Sequence, residues 1–109
     1  MIKNDNIKEL QKAILTLYNC NATWIESVSV KEVFGKETAW EGMVEVFDLH
    51  GHPKAKLCYA WSSPIERSTK RRFYAVLNIP PVDSPEKAVR ASIVHDFKIE
   101  KKLKKVLDK

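Results

Sequence analysis

The sequence predicts an α+β domain in two layers, ordered α-β-β-β-β-α: a four-stranded antiparallel meander with both helices packed on one face. Three observations carry this reading. Apolar residues recur at helical spacing over the first eighteen residues, four later segments alternate with period two, and Ser84-Pro85 opens a final helical pattern.

The first helix is expected to start at Asn6, which stands three residues before Glu9 as in a capping box. Ile7, Leu10, Ala13, Ile14 and Leu17 then form one stripe, and Asn19-Cys20-Asn21 ends it near Tyr18. The strands follow as 23–34, 38–49, 54–62 and 71–79. In the first, Trp24, Val28, Val30 and Phe34 share a face opposite Ser27, Ser29 and Lys31. The second sets Trp40, Val44 and Val46 against Glu41, Met43, Glu45 and Phe47. Pro80-Pro81 stops the fourth strand. Ser84 then caps a second helix with Pro85 at its first position and Ala88, Val89, Ile93 and Phe97 as its stripe. Leu103, Val106 and Leu107 continue that period, which predicts a basic helical extension over 98–109.

Two turns set the register. A turn centred on Gly51-His52, next to Pro53, pairs Val46 with Leu57, Val44 with Tyr59 and Gly42 with Trp61. The hairpin at Gly35 needs an odd number of loop residues to keep Val28 and Val30 on the face of Val44, and Lys31 then lies across from Glu41.

The chain of 109 residues fits one domain, and its 44% hydrophobic and 30% charged residues exclude the disordered class. No apolar run reaches the ~18–20 residues of a spanning helix, and the first residues lack a secretory pattern. The expected setting is the cytoplasm, with Cys20 and Cys58 as reduced, buried thiols.

Net charge is +5, but it is unevenly placed. Residues 98–109 hold six Lys against Glu100 and Asp108, which is +4, so the remaining 97 residues carry only +1. Phosphate contacts, if made, would come from Arg67, Lys70, Arg71, Lys98, Lys101, Lys102, Lys104 and Lys105. The segment lacks aromatics for base stacking and is rich in Lys rather than Arg, so a lysine-coated solvated helix is the plainer reading.

The face of the sheet left without helices is expected to carry Met43, Phe47, Lys56, Arg72, Tyr74 and Val76, a mixture suited to protein contact. Trp24, Trp40 and Trp61 are candidates to floor a small-molecule pocket between helix and sheet. Catalytic chemistry is thin. His50 and His52 flank a turn and lack an evident third ligand, so no metal is expected. Glu41 and Glu45 stand ~13 Å apart along a strand, beyond the span of paired glycosidase carboxylates. No cofactor motif is present.

The order of elements resembles that of double-stranded-RNA-binding domains (α-β-β-β-α), and a helix followed by a four-strand meander is similar to the cystatin-like arrangement. Neither likeness rests on a motif, so neither brings a function with it. The expected function is a small non-enzymatic binding or accessory domain acting through protein contact, with self-association as one form of it. The alternatives are a weak, sequence-independent nucleic-acid binder using the basic helix, and a small-molecule binder.

Overall fold

The computed structural model describes residues 2–65 and 67–95. They form α1 (Ile2–Tyr18), β1 (Asn21–Phe34), β2 (Glu37–His50), β3 (Leu57–Pro64), β4 (Arg71–Leu77) and a second helix, α2, over residues 85–95. The sheet is antiparallel in the order β1-β2-β3-β4, a sequential meander. Fold class, element order and topology are as the sequence predicts. The predicted extension over 98–109 lies outside the described residues.

The placement of the helices is not as predicted: they cover opposite faces of the sheet. Leu10 and Ile14 of α1 pack with Phe47, Leu49, Cys58 and Ala60, flanked by Phe73, Ala75 and Leu77. Ala88 and Val89 of α2 pack with Val30, Val44, Val46, Tyr59 and Trp61, flanked by Tyr74 and Val76. These two sets alternate along each strand, so they point to opposite sides. The result is three layers, helix–sheet–helix. The reason is legible in β3 and β4, where Leu57-Cys58-Tyr59-Ala60-Trp61 and Phe73-Tyr74-Ala75-Val76-Leu77 are apolar on both faces. Such strands require cover on both sides.

Each turn departs from expectation in an instructive way. The β1–β2 hairpin closes with two residues, Gly35-Lys36, and Gly35 adopts φ 65°. An irregularity between Glu32 and Val33 then adds the odd residue, so that Val28 still meets Val44 and Lys31 still meets Glu41. A second irregularity between Trp24 and Glu26 turns Trp24 to the α1 face, where it pairs with Phe47, away from Val28 and Val30. The β2–β3 connection is longer than a tight turn. Leu49 N–H donates to Lys56 carbonyl at 2.8 Å, and Val46 meets Tyr59 instead of Leu57. A slip of two residues preserves the faces, which is why the apolar sets still agree. Inside the loop His52 Nδ1 accepts the Lys54 and Ala55 N–H groups, both at 3.0 Å. Here the histidine organises the turn.

Helix ends follow simple chemistry. α1 begins at Ile2, four residues before the predicted cap, and ends where Asn19 takes φ 55° with its N–H on Leu15 carbonyl at 2.8 Å. Ser84 caps α2 by accepting the Lys87 N–H at 3.3 Å, beside an Asp83–Lys87 ion pair at 2.9 Å. Arg90 Nε meets the buried Glu32 carboxylate at 2.7 Å, which ties α2 to β1 and raises the guanidinium pKa further.

Candidate functional site

The sheet is not equally closed along its length. Between β2 and β3 the ladder runs from Asp48↔Leu57 to Glu45↔Ala60 and stops there. The outer hairpins continue well beyond, β1–β2 to Phe34↔Glu37 and β3–β4 to Pro64↔Arg71. Two hairpins that share only a short central ladder diverge at their free ends. The divergence opens a groove of about 790 Å³ beside the first turns of α1. That volume is typical of ligand sites, ~300–1,000 Å³.

Its wall mixes apolar and charged groups. Met43 and Phe73 give the apolar part, Asn6 and Glu9 come from α1, and Glu41, Glu45 and Arg71 complete the rim and sides. Trp40 and Gly42 border it with Ser63, and Trp40 Nε1 donates to Ser63 Oγ at 2.9 Å across the diverging strands. Arg71 holds the β3 side, with Nε on Ser62 Oγ at 2.9 Å and Nη2 on Ser62 carbonyl at 3.2 Å. Glu45 is only 3% exposed. Its Oε1 accepts Trp24 Nε1–H at 2.9 Å and also the Ser27 hydroxyl. The carboxylate is therefore held in one orientation by neutral donors.

The predicted contact residues do not form one patch. Met43 is 49% exposed at the groove, whereas Phe47 is fully buried beneath α1. Tyr74 and Val76 lie on the other face beside α2, and Arg72 Nη1 reaches Tyr74 hydroxyl at 3.5 Å. Lys56 is exposed just before β3. Of the phosphate candidates, Arg67, Lys70 and Arg71 are exposed around the β3–β4 connection, and Lys98, Lys101, Lys102, Lys104 and Lys105 lie outside the described residues.

The three tryptophans do not share a floor. Trp24 is with Glu45 on the α1 side, while Trp61 stacks on Tyr74 at 5.2 Å and meets Trp40 at 6.0 Å on the α2 side. The space left beside Trp40 and Trp61 under α2 is about 40 Å³, room for water and not for a metabolite. Asn6 and Glu9, which the sequence marks only as a helix cap, and Ser62 and Phe73 belong to the groove although none of the four is a site candidate from sequence. The available signal was Ser62-Ser63-Pro64, where the apolar run of β3 gives out.

Among the described residues no cluster of His, Cys, Asp and Glu could hold a metal ion, and no helix is long and apolar enough to cross a membrane. Cys20 and Cys58 are both buried. Burial pushes the Cys58 thiol up to about 12 from 9.0, and burial next to Cys58 also raises the Tyr18 phenol. Because the fold disfavours the thiolate, the unfolded chain releases that proton first. The stabilisation is complete below pH 9 and is lost as pH rises toward 12. Melting temperatures taken from pH 8 to pH 11 are expected to fall more steeply for the parent than for Cys58→Ala. Equal slopes would show that Cys58 is accessible to solvent in the fold.

No family model, curated protein or solved structure matches this chain. The reading of its function therefore stands on the groove.

Proposed function

We propose that this chain is a small non-enzymatic binding domain that takes a protein partner into the groove between its two hairpins. The observation that carries the proposal is the early end of the β2–β3 ladder at Glu45↔Ala60, with both flanking hairpins continuing past it. Elsewhere the sheet is covered by α1 on one face and α2 on the other. The groove offers what a segment of another protein needs: apolar contact at Met43 and Phe73, and carboxylates at Glu9 and Glu41 for orientation. A flat, half-wet sheet face, the surface expected from sequence, is largely absent, so the contact function moves to the groove.

The test is site-specific photo-crosslinking in cells. A photoreactive phenylalanine analogue in place of Met43 is expected to give a discrete protein adduct. The same analogue at Leu17, which is 58% exposed on α1, is expected to give none. Adducts equal at both positions, or absent at Met43, would remove the groove from consideration.

A further inference from the structure

We infer that the partner segment seats a lysine in this groove, with its stem along Met43 and Phe73 and its ammonium on Oε2 of Glu45. The inference rests on the groove being the binding surface.

Glu45 is the first argument. Its side chain borders the groove, yet the residue is only 3% exposed. Both of its hydrogen bonds, from Trp24 Nε1–H and the Ser27 hydroxyl, fall on Oε1. Oε2 takes none from the described residues, and neither ion pair among them involves Glu45. Among these residues no wholly buried side-chain oxygen or nitrogen lacks a partner, so Oε2 is the atom of this carboxylate that opens to the groove. A carboxylate so deeply buried and met only by neutral donors is unfavourable, and a cation arriving at Oε2 relieves it. The wall does not supply that cation. Arg71, its one basic residue, is engaged with Ser62 through Nε and Nη2.

Shape is the second argument, and it selects lysine over arginine. The four methylenes of a lysine stem are apolar and suit Met43 and Phe73, while its compact head needs one strong acceptor. The planar fork of arginine is matched by two carboxylate oxygens, and Oε1 is already taken. Asn6 and Ser62 border the same groove and offer neutral oxygens to the other N–H groups of the ammonium. Glu41 is a poorer seat. It is exposed on the rim and lies across from Lys31, which offsets its charge. A volume of about 790 Å³ admits the lysine together with its neighbours in the partner's sequence.

Immobilised peptide pools test this. Four pools of decapeptides share random neutral positions and differ in one fixed central residue: Lys, Arg, Nε-acetyl-lysine or norleucine. The full chain is passed over each and the retained protein is measured. The Lys pool is expected to retain about tenfold more than the acetyl-lysine and norleucine pools, as a charged hydrogen bond would give, and more than the Arg pool. The chain's net charge of +5 opposes this preference, so its appearance marks a local site. Glu45→Gln keeps an acceptor for Trp24 and Ser27 and is expected to keep its melting temperature while losing the preference. Glu41→Gln is expected to retain it. Should Glu45→Gln melt early, Met43→Ala takes its place: it removes the stem's contact and is expected to reduce retention on the Lys pool several-fold. Equal retention by Lys and norleucine, an equal or stronger response to Arg, a Lys preference that survives Glu45→Gln, or unchanged retention of Met43→Ala would each overturn the inference. If the pools show no Lys preference while the photoreactive residue at position 43 still yields its discrete adduct in cells, the groove keeps its proposed role and only the lysine is refuted.

Discussion

Phe47→Ala is expected to lower stability by about 3–5 kcal/mol, while Met43→Ala on the same strand and the same face changes it by less than about 0.5 kcal/mol. The two side chains are four residues apart, and a one-faced sheet would leave both in water. In the structure Phe47 is fully buried with Leu10, Ile14, Cys58 and Ala60, and Met43 is 49% exposed at the groove. Removing the Phe47 ring loses its transfer free energy and leaves a cavity between α1 and the sheet, because helix and strands can only partly collapse around it. Chemical denaturation of the two variants measures the contrast. Similar, small losses for both would mean that α1 does not cover this face.

Gly42→Val has the second large effect, about 1–3 kcal/mol of destabilisation, or roughly 4–8 °C of melting temperature for each kcal/mol. A Cβ at Gly42 would lie 2.9 Å from both Cη2 and Cζ2 of Trp40. The ring cannot swing away freely, since its Nε1 is bonded to Ser63 Oγ and its other side meets Trp61. The expected partner in sequence was Trp61, directly across the turn. The actual register puts Trp40, two residues along the same strand, over the glycine instead. A double-mutant cycle separates the two: in a Trp40→Ala background the valine should cost little, whereas a clash with Trp61 would persist.

Why some elements were legible and others not follows from these residues. The strands and their faces could be read because alternation is strict in Val28-Val30 and Val44-Val46. Parity alone fixes which residues share a side, and a two-residue slip at Gly51 leaves it unchanged. The slip itself was hidden, because His52 builds a longer loop by accepting two backbone N–H groups, which spacing does not reveal. The bulge that sends Trp24 to the other face was hidden for the same reason. The opposite placement of the helices was present in the apolar character of both faces of β3 and β4. Strand alternation by itself leaves Phe47 on the side opposite Val44, and Val76 on the side opposite Leu77, without saying that a helix covers either. The groove was the least legible feature, since it depends on where a ladder stops, and only Ser62-Ser63-Pro64 hints at that point.

The central claim is that the sheet carries one helix on each face and divides between β2 and β3 beyond Glu45. A nuclear Overhauser spectrum of the labelled protein tests both halves at once. Methyl contacts are expected from Leu10 and Ile14 to Phe47, and from Val89 to Val44 and Trp61. Cross-strand backbone contacts should link β2 to β3 up to Glu45–Ala60 and vanish at Met43–Ser62. Contacts from both helices to Val44, or an unbroken run of cross-strand contacts through Met43 and Ser62, would contradict the account.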